Sequence, residues 1–255
     1  MELERLFLLF MIYSFIGWII EVLGKLIELK RFVNRGFLIG PYLPIYGFAG
    51  IIMTLTLTRY YNNPIGLFFM SIVICGVLEY VTSFVLEKIF NARWWDYTRY
   101  KFNINGRVCL ETMIPFGFLG CILMYLIFPF LNKIIIAINP EFLNIFNVVL
   151  MLIFIVDIII SCKVLFDFRF VTTQFNNRDN TEEITKKVKE FLTSKSILNK
   201  RLINSFPNVV SIIENIKKEV FDSKFKLFIS KEDLKKVHSK FYKVKQEIKN
   251  KIKNY

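Results

Sequence analysis

Five carboxylates of the sequence lie inside apolar stretches or at their ends: Glu21, Glu79, Glu87, Glu111 and Asp157. An ionised side chain in hydrocarbon is costly, so each of these groups must face protein, water or an opposite charge. Carboxylates held in this way could bind a substrate, relay protons, or act as general acid and base. They could equally form ion pairs that only fix helices and loops to each other. Because five acids are more than the pinning of one loop requires, we favour a polar cavity.

Other kinds of site are excluded by residue usage. The single histidine, His238, lies in the charged C-terminal region, which excludes histidine-based triads and histidine-rich metal sites. The four cysteines lack C-x-x-C spacing, and at least two lie in apolar runs, so we expect no disulfide framework and no zinc site. No G-x-x-x-x-G-K-S/T motif is present, so the chain hydrolyses no nucleotide through a P-loop. We expect neither a metal nor a cofactor.

The chain has two differently built regions. Residues 1–162 are apolar and nearly neutral, with 12 Lys and Arg against 10 Asp and Glu, whereas residues 163–255 have 22 against 11. A membrane helix needs about 20 apolar residues, and the first region has five candidate stretches, at about 6–23, 42–57, 65–86, 113–131 and 142–162. The second is short and begins with the kink-prone GPYLPIYG, which predicts a tilted or broken helix. We therefore predict an all-α polytopic membrane protein with five transmembrane helices.

The orientation follows from lysine and arginine. The connections after the first and third stretches, and the region after the fifth, are basic, whereas the opposite side carries only Arg5, Arg59 and Lys133. Because basic residues mark cytoplasmic segments, we predict that the N-terminus is outside and the C-terminus inside. All five carboxylates then fall toward the cytoplasmic leaflet, so the predicted cavity opens to the cytoplasm.

The connection at residues 91–117, NARWWDYTRYKFNINGRVCLETMIPFG, carries more than a turn requires. A turn needs Gly, Pro, Asn or Asp, but this loop adds three arginines, two adjacent tryptophans and an aspartate. It lies beneath the inner ends of the helices that it joins, where its guanidinium groups can reach carboxylates. We expect Arg107, and to a lesser degree Arg93, to pair with Glu79 or Glu87, the second of which follows eight residues later on the third stretch.

The remaining residues of this loop are expected to fix its conformation. Asp96 should accept hydrogen bonds from within its own loop or from Arg35, and the amides of Asn103 and Asn105 should lock the chain. Tryptophan and tyrosine settle among headgroups at a membrane surface. The residues to which we assign a structural role in the loop are Trp94, Trp95, Tyr97 and Gly106.

Residues 163–255 predict a basic cytoplasmic helical extension. Thr181 precedes two glutamates in an N-cap pattern, and apolar stripes at helical spacing continue on both sides of Pro207. A small bundle with solvated lysine faces explains the pattern, and attachment to anionic lipid headgroups is the alternative. The region has no nucleic-acid-binding motif, so nucleic acid is not an expected partner.

Four ordered blocks of the first region resemble a known family. SFIGWIIEV, VNRGFLIGPYLPIYG, LEYVTSFVLEKIFNARWWDY and FNINGRVCLETMIPFG, within about residues 10–125, are similar to the ABC-transporter permease family of the CmpB type. The candidate cavity or substrate-binding residues, all of which match the family pattern, are Glu21, Asn34, Arg35, Glu79, Glu87, Arg93, Asp96, Asn103 and Arg107. The resemblance implies a bacterial cytoplasmic (inner) membrane protein that works with a separate ATPase subunit. Because five spans are few for a complete translocation path, we also expect a homo-oligomer.

Three functions remain open at this point. The first is a permease-type transport component with a polar cavity at the cytoplasmic leaflet. The second is a membrane-embedded enzyme for a lipid or prenyl-type substrate, in which Glu79, Glu87 or Asp96 is the acid or base and arginines clamp an anion. The third is a regulatory or scaffolding protein that acts through the basic tail, a role that retained activity after deletion of residues 170–255 would contradict.

Overall fold

The computed structural model of the protein describes residues 2–30, 32–36, 38–90 and 95–176, with side chains as far as residue 166. Within these residues four helices are long and apolar enough to cross a membrane: Leu3–Leu29, Pro64–Phe90, Leu110–Ala137 and Pro140–Phe166. They coincide with four of the predicted stretches and extend beyond them at both ends, which confirms a mostly helical membrane protein. Arg93, Trp94 and the predicted tail helices beyond residue 176 lie outside the described residues.

The predicted second span differs from a continuous helix. The first helix, α1 (Leu3–Leu29), ends at Lys30, whose left-handed backbone lets its N–H bond to the Leu26 carbonyl. The chain then returns as irregular backbone, and the Leu43 N–H donates to the Ser14 carbonyl in the buried middle of α1, at 2.9 Å. Helix α2 (Pro44–Thr56) starts there and has 13 residues. At about 20 Å it is too short to cross a hydrocarbon core of about 30 Å by itself.

Small residues bring α1 and α2 into close contact. A Cβ atom on Gly17 would lie 2.2 Å from Cγ of Tyr46, and one on Gly47 would lie 2.2 Å from Oγ of Ser14. Membrane helices pack closely through such small residues, because no water is available to drive them together. The side chain of Tyr46 therefore lies directly on α1, where it reaches the interior of the bundle.

The second half of the fold is a hairpin followed by a long helix. Helix α3 (Pro64–Phe90) leads into a loop with a two-residue antiparallel pair, β1 (Asn103–Ile104) and β2 (Val108–Cys109), a small exception to the all-α prediction. Helix α4 (Leu110–Ile122), a π-helical turn (Leu123–Ile127) and α5 (Phe128–Ala137) then run on as one rod, the α4–α5 rod. Gly120 of this rod touches Ser71 of α3.

The last helix among the described residues, α6 (Pro140–Asn176), has 37 residues and continues beyond the boundary predicted at residue 162. Near its start, Asn147 Nδ2 donates to the Glu4 carbonyl at 2.8 Å, which ties α6 to the first turn of α1.

Apolar side chains cover the outside of the helices. On α3, Phe69, Val73 and Val77 recur every four residues and are each more than half exposed. Such a surface suits lipid rather than water.

Candidate ligand cavity

A cavity of about 440 Å³ lies among α1, α2, α3 and the α4–α5 rod. Most of its wall is apolar, and the apolar lining includes Ile16, Ile20, Met53, Leu119, Leu123 and Ile127. A group of hydrogen-bonding side chains also lines it, which we call the polar cluster: Glu21, Arg35, Tyr46, Glu79 and Tyr97. Tyr46 and Met53 mark the polar and the apolar part of the cavity, about 10 Å apart along α2. Apolar walls with a few convergent polar groups are typical of small-molecule sites.

Both oxygens of Glu21 are engaged within the polar cluster. Arg35 Nε lies 3.4 Å from Glu21 Oε2, and the Tyr46 hydroxyl donates to Glu21 Oε1 at 2.9 Å. The two charged side chains are about a quarter to a third exposed, so water screens part of their attraction. Glu21 and Arg35 therefore form a pair of no net charge at the wall of the cavity.

Among the charged residues of the polar cluster, Glu79 is the least exposed, with 7% of its surface accessible. The Tyr97 hydroxyl donates to Glu79 Oε1 at 3.0 Å, whereas Glu79 Oε2 is buried and has no hydrogen-bond partner among the described residues. A buried acceptor without a partner costs about 1–3 kcal/mol, and more when it is charged. Of the described carboxylates, Glu79 therefore points most directly to a ligand.

The loop positions Tyr97 against Glu79. The Tyr97 N–H donates to the Gly106 carbonyl at 2.8 Å, and Trp95 Nε1 donates to the Arg107 carbonyl at 2.9 Å. Burial and the neighbouring Glu79 carboxylate raise the pKa of the Tyr97 phenol well above its usual range. The hydroxyl therefore stays protonated and donates to Glu79 at physiological pH.

Arg107 forms the expected pair with a helix carboxylate, and the carboxylate is that of Glu87. Arg107 Nη1 lies 2.7 Å from Glu87 Oε2 and 3.3 Å from the Ser83 hydroxyl. The guanidinium also stacks over the rings of Tyr80 and Phe84, 5.7 Å and 5.4 Å from their centroids. Arg107 and Glu87 lie outside the cavity wall, and Arg107 does not provide the partner that Glu79 lacks.

Asp96 and Asn103 fix the loop as expected, whereas Asn105 Nδ2 donates to the Tyr80 hydroxyl on α3 at 3.0 Å. Asp96 Oδ1 accepts the Thr98 N–H at 3.0 Å, which is a bond within its own loop. Asn103 accepts the Gly106 N–H at 2.9 Å and donates to the Tyr100 carbonyl at 2.7 Å. Gly106 has φ +67°, a left-handed conformation that glycine adopts without strain. Asp96 and Asn103 are thus hydrogen-bonded in the loop and are not among the residues of the cavity wall.

Two further polar residues hold the irregular segment before α2. Trp18 Nε1 donates to Asn34 Oδ1 at 2.6 Å, and Asn34 Nδ2 donates to the Ile39 carbonyl at 3.3 Å. The carboxylate of Asp157 accepts the N–H groups of Ile39 and Gly40, at 2.8 and 2.7 Å.

Asp157 accepts hydrogen bonds from two hydroxyl groups in addition to these amides. The Tyr42 hydroxyl donates to it at 2.5 Å and the Ser161 hydroxyl at 2.8 Å. With four donors it is a satisfied buried anion, which anchors the segment to α6 rather than binding a ligand.

Reasoning from the sequence alone missed part of the polar cluster. Tyr46 was not assigned to the site, and Tyr97 was assigned only a structural role in the loop. Cys75 and Thr82 also line the cavity with Glu79, and their spacing of i−4 and i+3 is the signal that could have found them. Glu111 is exposed on α4. Among the described residues no group of three or more His, Cys, Asp or Glu could hold a metal ion.

Comparison with known families bears on the same residues. Residues 8–162 match the family described as "Putative ABC-transporter type IV". The chain belongs to this family. No curated protein and no solved structure matches the chain. The family match extends past the resemblance at residues 10–125 and contains the whole cavity wall, so the cavity belongs to the part of the chain that the family shares. Family membership and four helices that are long and apolar enough to cross a membrane make this a transport-related membrane protein.

Proposed function

We propose that the protein is the membrane-embedded permease component of a transporter and that its cavity binds an amphiphilic cargo. The observation that carries the proposal is the division of the cavity into apolar walls and a polar cluster. An amphiphile would bury its hydrocarbon against Met53 and Leu123 while its head group meets Glu79. The chain has no P-loop, so a separate ATPase subunit would supply the energy.

The proposed orientation puts the polar cluster in the cytoplasmic leaflet. Glu21 lies eight residues before the end of α1, and Glu79 lies eleven residues before the end of α3. These spacings correspond to about 12 and 17 Å along the helix axes. Both helix ends adjoin the basic connections that mark the cytoplasmic side. Four long helices and one short helix are few for a complete translocation path, so we propose a homo-oligomer.

Retention of cargo tests the cavity directly. The full chain would be purified from its native membrane into nanodiscs, and the small molecules that it retains would be identified by mass spectrometry. Ala49 lines the cavity, so Ala49→Trp should fill the cavity and remove the retained amphiphile. Val77→Trp is the matched control, because Val77 faces outward and is 58% exposed. Identical retained molecules in the wild type and Ala49→Trp would refute a cargo cavity.

The ATPase partner is tested by a separate measurement. Membranes solubilised in mild detergent should yield the full chain together with a P-loop subunit whose ATP hydrolysis depends on the chain. If no P-loop subunit copurifies with the chain, or if the ATP hydrolysis of that subunit is the same with and without the chain, the permease assignment is contradicted.

The Oε2 atom of Glu79, which has no partner among the described residues, favours a second candidate, a membrane-embedded enzyme for a lipid or prenyl-type substrate. Of the three acid–base candidates, Glu87 is paired with Arg107 and Asp96 lies outside the cavity wall. Glu79 is then the remaining general acid or base. If the purified protein converts the retained amphiphile into a new product, the enzyme is favoured, whereas recovery of the unchanged molecule favours transport.

A further inference from the structure

We infer that the cavity selects amphiphiles whose head group is a cationic amine and that Glu79 is the counter-ion for this group. The inference rests on the proposed amphiphile cavity and specifies its ligand. Glu79 lines the cavity and is 93% buried, and its Oε2 has no partner among the described residues. The bond from Tyr97 to Oε1 holds the carboxylate in place. The group that completes the site must therefore donate a hydrogen bond.

The charges of the cavity wall favour a cation over a neutral donor. Glu21 and Arg35 neutralise each other across 3.4 Å, and Arg35 is the one basic side chain among the described residues of the wall, so no described residue compensates a charge on Glu79. Arg107 is committed to Glu87. An ammonium group would supply both a hydrogen bond and the missing charge, and charge-assisted hydrogen bonds are about twice as strong as neutral ones. A carboxylate or phosphate head group would instead meet like charge.

Most positions in the first turn of α2 have no amide free for an anion, which limits any site that would reverse this preference. The Tyr46 and Gly47 amides of its first turn already donate to the Leu43 carbonyl, at 3.0 and 3.5 Å. Pro44, which begins the helix, has no N–H to offer. The Tyr46 hydroxyl also donates to Glu21, whose carboxylate offsets the positive end of the helix.

Aromatic rings give independent support for a cation. Six aromatic side chains line the cavity: Tyr13, Tyr46, Phe48, Trp95, Tyr97 and Phe116. Tyr46 and Phe116 meet edge to face, with ring centroids 6.4 Å apart. An ammonium group that lies against a ring face gains cation–π attraction, and this attraction is larger where water is excluded. A neutral alcohol or a carboxylate gains nothing comparable.

Binding of head-group analogues to the full chain in nanodiscs tests this inference. The probes share one alkyl chain and differ in the head group: dodecylamine, dodecan-1-ol and dodecanoate. Isothermal titration against protein-containing and empty nanodiscs separates site binding from partition into lipid. We expect the wild type to bind dodecylamine at least about tenfold more tightly than dodecan-1-ol, as a hydrogen bond to a charged group implies. We expect dodecanoate to bind most weakly.

Variants assign the preference to one carboxylate. Glu79→Gln retains an acceptor for Tyr97 but removes the charge, so the preference for amine over alcohol should fall to about twofold or less. Glu79→Asp keeps the charge and should keep part of the preference. Glu111→Gln is the matched control, because Glu111 is exposed outside the cavity and its removal should leave the preference unchanged.

The outcomes separate this inference from the proposed function. If the wild type binds amine and alcohol equally, and Ala49→Trp abolishes the binding of both, the cavity holds amphiphiles but the amine selectivity is wrong. A preference for amine that survives in Glu79→Gln would also overturn the inference. If no probe binds beyond its partition into empty nanodiscs, both the inference and the proposed cavity role fail. The wild-type comparison alone decides the selectivity even if a variant does not fold.

Discussion

Replacement of Asp157 by Asn is expected to destabilise the protein strongly, although the two side chains have nearly the same shape. The carboxylate accepts four hydrogen bonds, from the Ile39 and Gly40 amides and from the Tyr42 and Ser161 hydroxyls. An asparagine retains one oxygen and turns an NH₂ group toward donors, so at least two of the four bonds are lost.

The magnitude follows from the number of bonds lost. Hydrogen bonds to charged groups contribute about 1.5–3 kcal/mol each, and two of them correspond to about 3–6 kcal/mol. Asp157 is 7% exposed, so water cannot replace the lost acceptor. Reversible unfolding of the purified protein in mixed micelles, with increasing denaturant, would measure the change in the free energy of unfolding. Ser161→Ala, which removes one donor and leaves the charge, should cost about 1.5–3 kcal/mol, the value of one such bond.

A double-mutant cycle tests the mechanism itself. Tyr42→Phe removes the hydroxyl that donates to Asp157. In the wild-type background this change should be costly, whereas in Asp157→Asn it should cost clearly less, with a coupling of about 0.5–3 kcal/mol. A change in unfolding free energy below about 1 kcal/mol for Asp157→Asn, or additive effects of the two substitutions, would refute the reasoning.

Other predictions use simpler readouts. Arg107→Ala should lower the free energy of unfolding by about 3 kcal/mol. This is the lower end of the range for buried pairs, because the Glu87 side chain is 34% exposed. Arg99 is exposed, so Arg99→Ala should be near neutral in the same assay. For topology, a cysteine at Asn62 should react with an impermeant thiol reagent in intact cells and one at Arg99 should not, and the reverse labelling would invert the proposed orientation. Gly17→Leu should prevent the contact of α1 with α2 and reduce the yield of folded protein, and a normal yield would contradict the close packing.

Hydropathy and charge pattern were sufficient to predict the long helices and to predict that Arg107 pairs with a helix carboxylate. A run of about 20 apolar residues has one stable form in a membrane, because only a helix satisfies its own backbone there. Arg107 lies just before α4, and the neighbouring helix α3 carries Glu79 and Glu87 near the same side of the membrane. Its pairing with one of these acids therefore followed from depth alone. The choice between Glu79 and Glu87 did not follow. Two residues eight positions apart point in directions that differ by about 80° around a helix. This difference is enough for Glu79 to face the cavity and for Glu87 to face the loop.

The kink-prone GPYLPIYG predicted a tilted or broken second span, but the contact that holds its irregular start lay beyond local patterns. Residues 42–57 contain no charged residue, but the helix within them begins only at Pro44. The irregular backbone before it depends on Asp157, which is 117 and 118 residues away along the chain from its amide partners. A contact at that separation leaves no periodicity in the sequence. Tyr97 was placed in the loop correctly, but its contact with Glu79 depends on how the loop folds back.

Helix α6 is continuous, so it can transmit a displacement along its length. Asp157 grips Ile39 and Gly40, and the same helix continues without interruption to Asn176, about 28 Å further on. The gripped segment leads directly into Leu43, part of the cavity wall. A force applied at the far end of α6 would therefore reach the lining of the cavity through three hydrogen bonds, from Ile39, Gly40 and Tyr42 to Asp157. A partner that pulls this helix would deform the binding chamber without touching it.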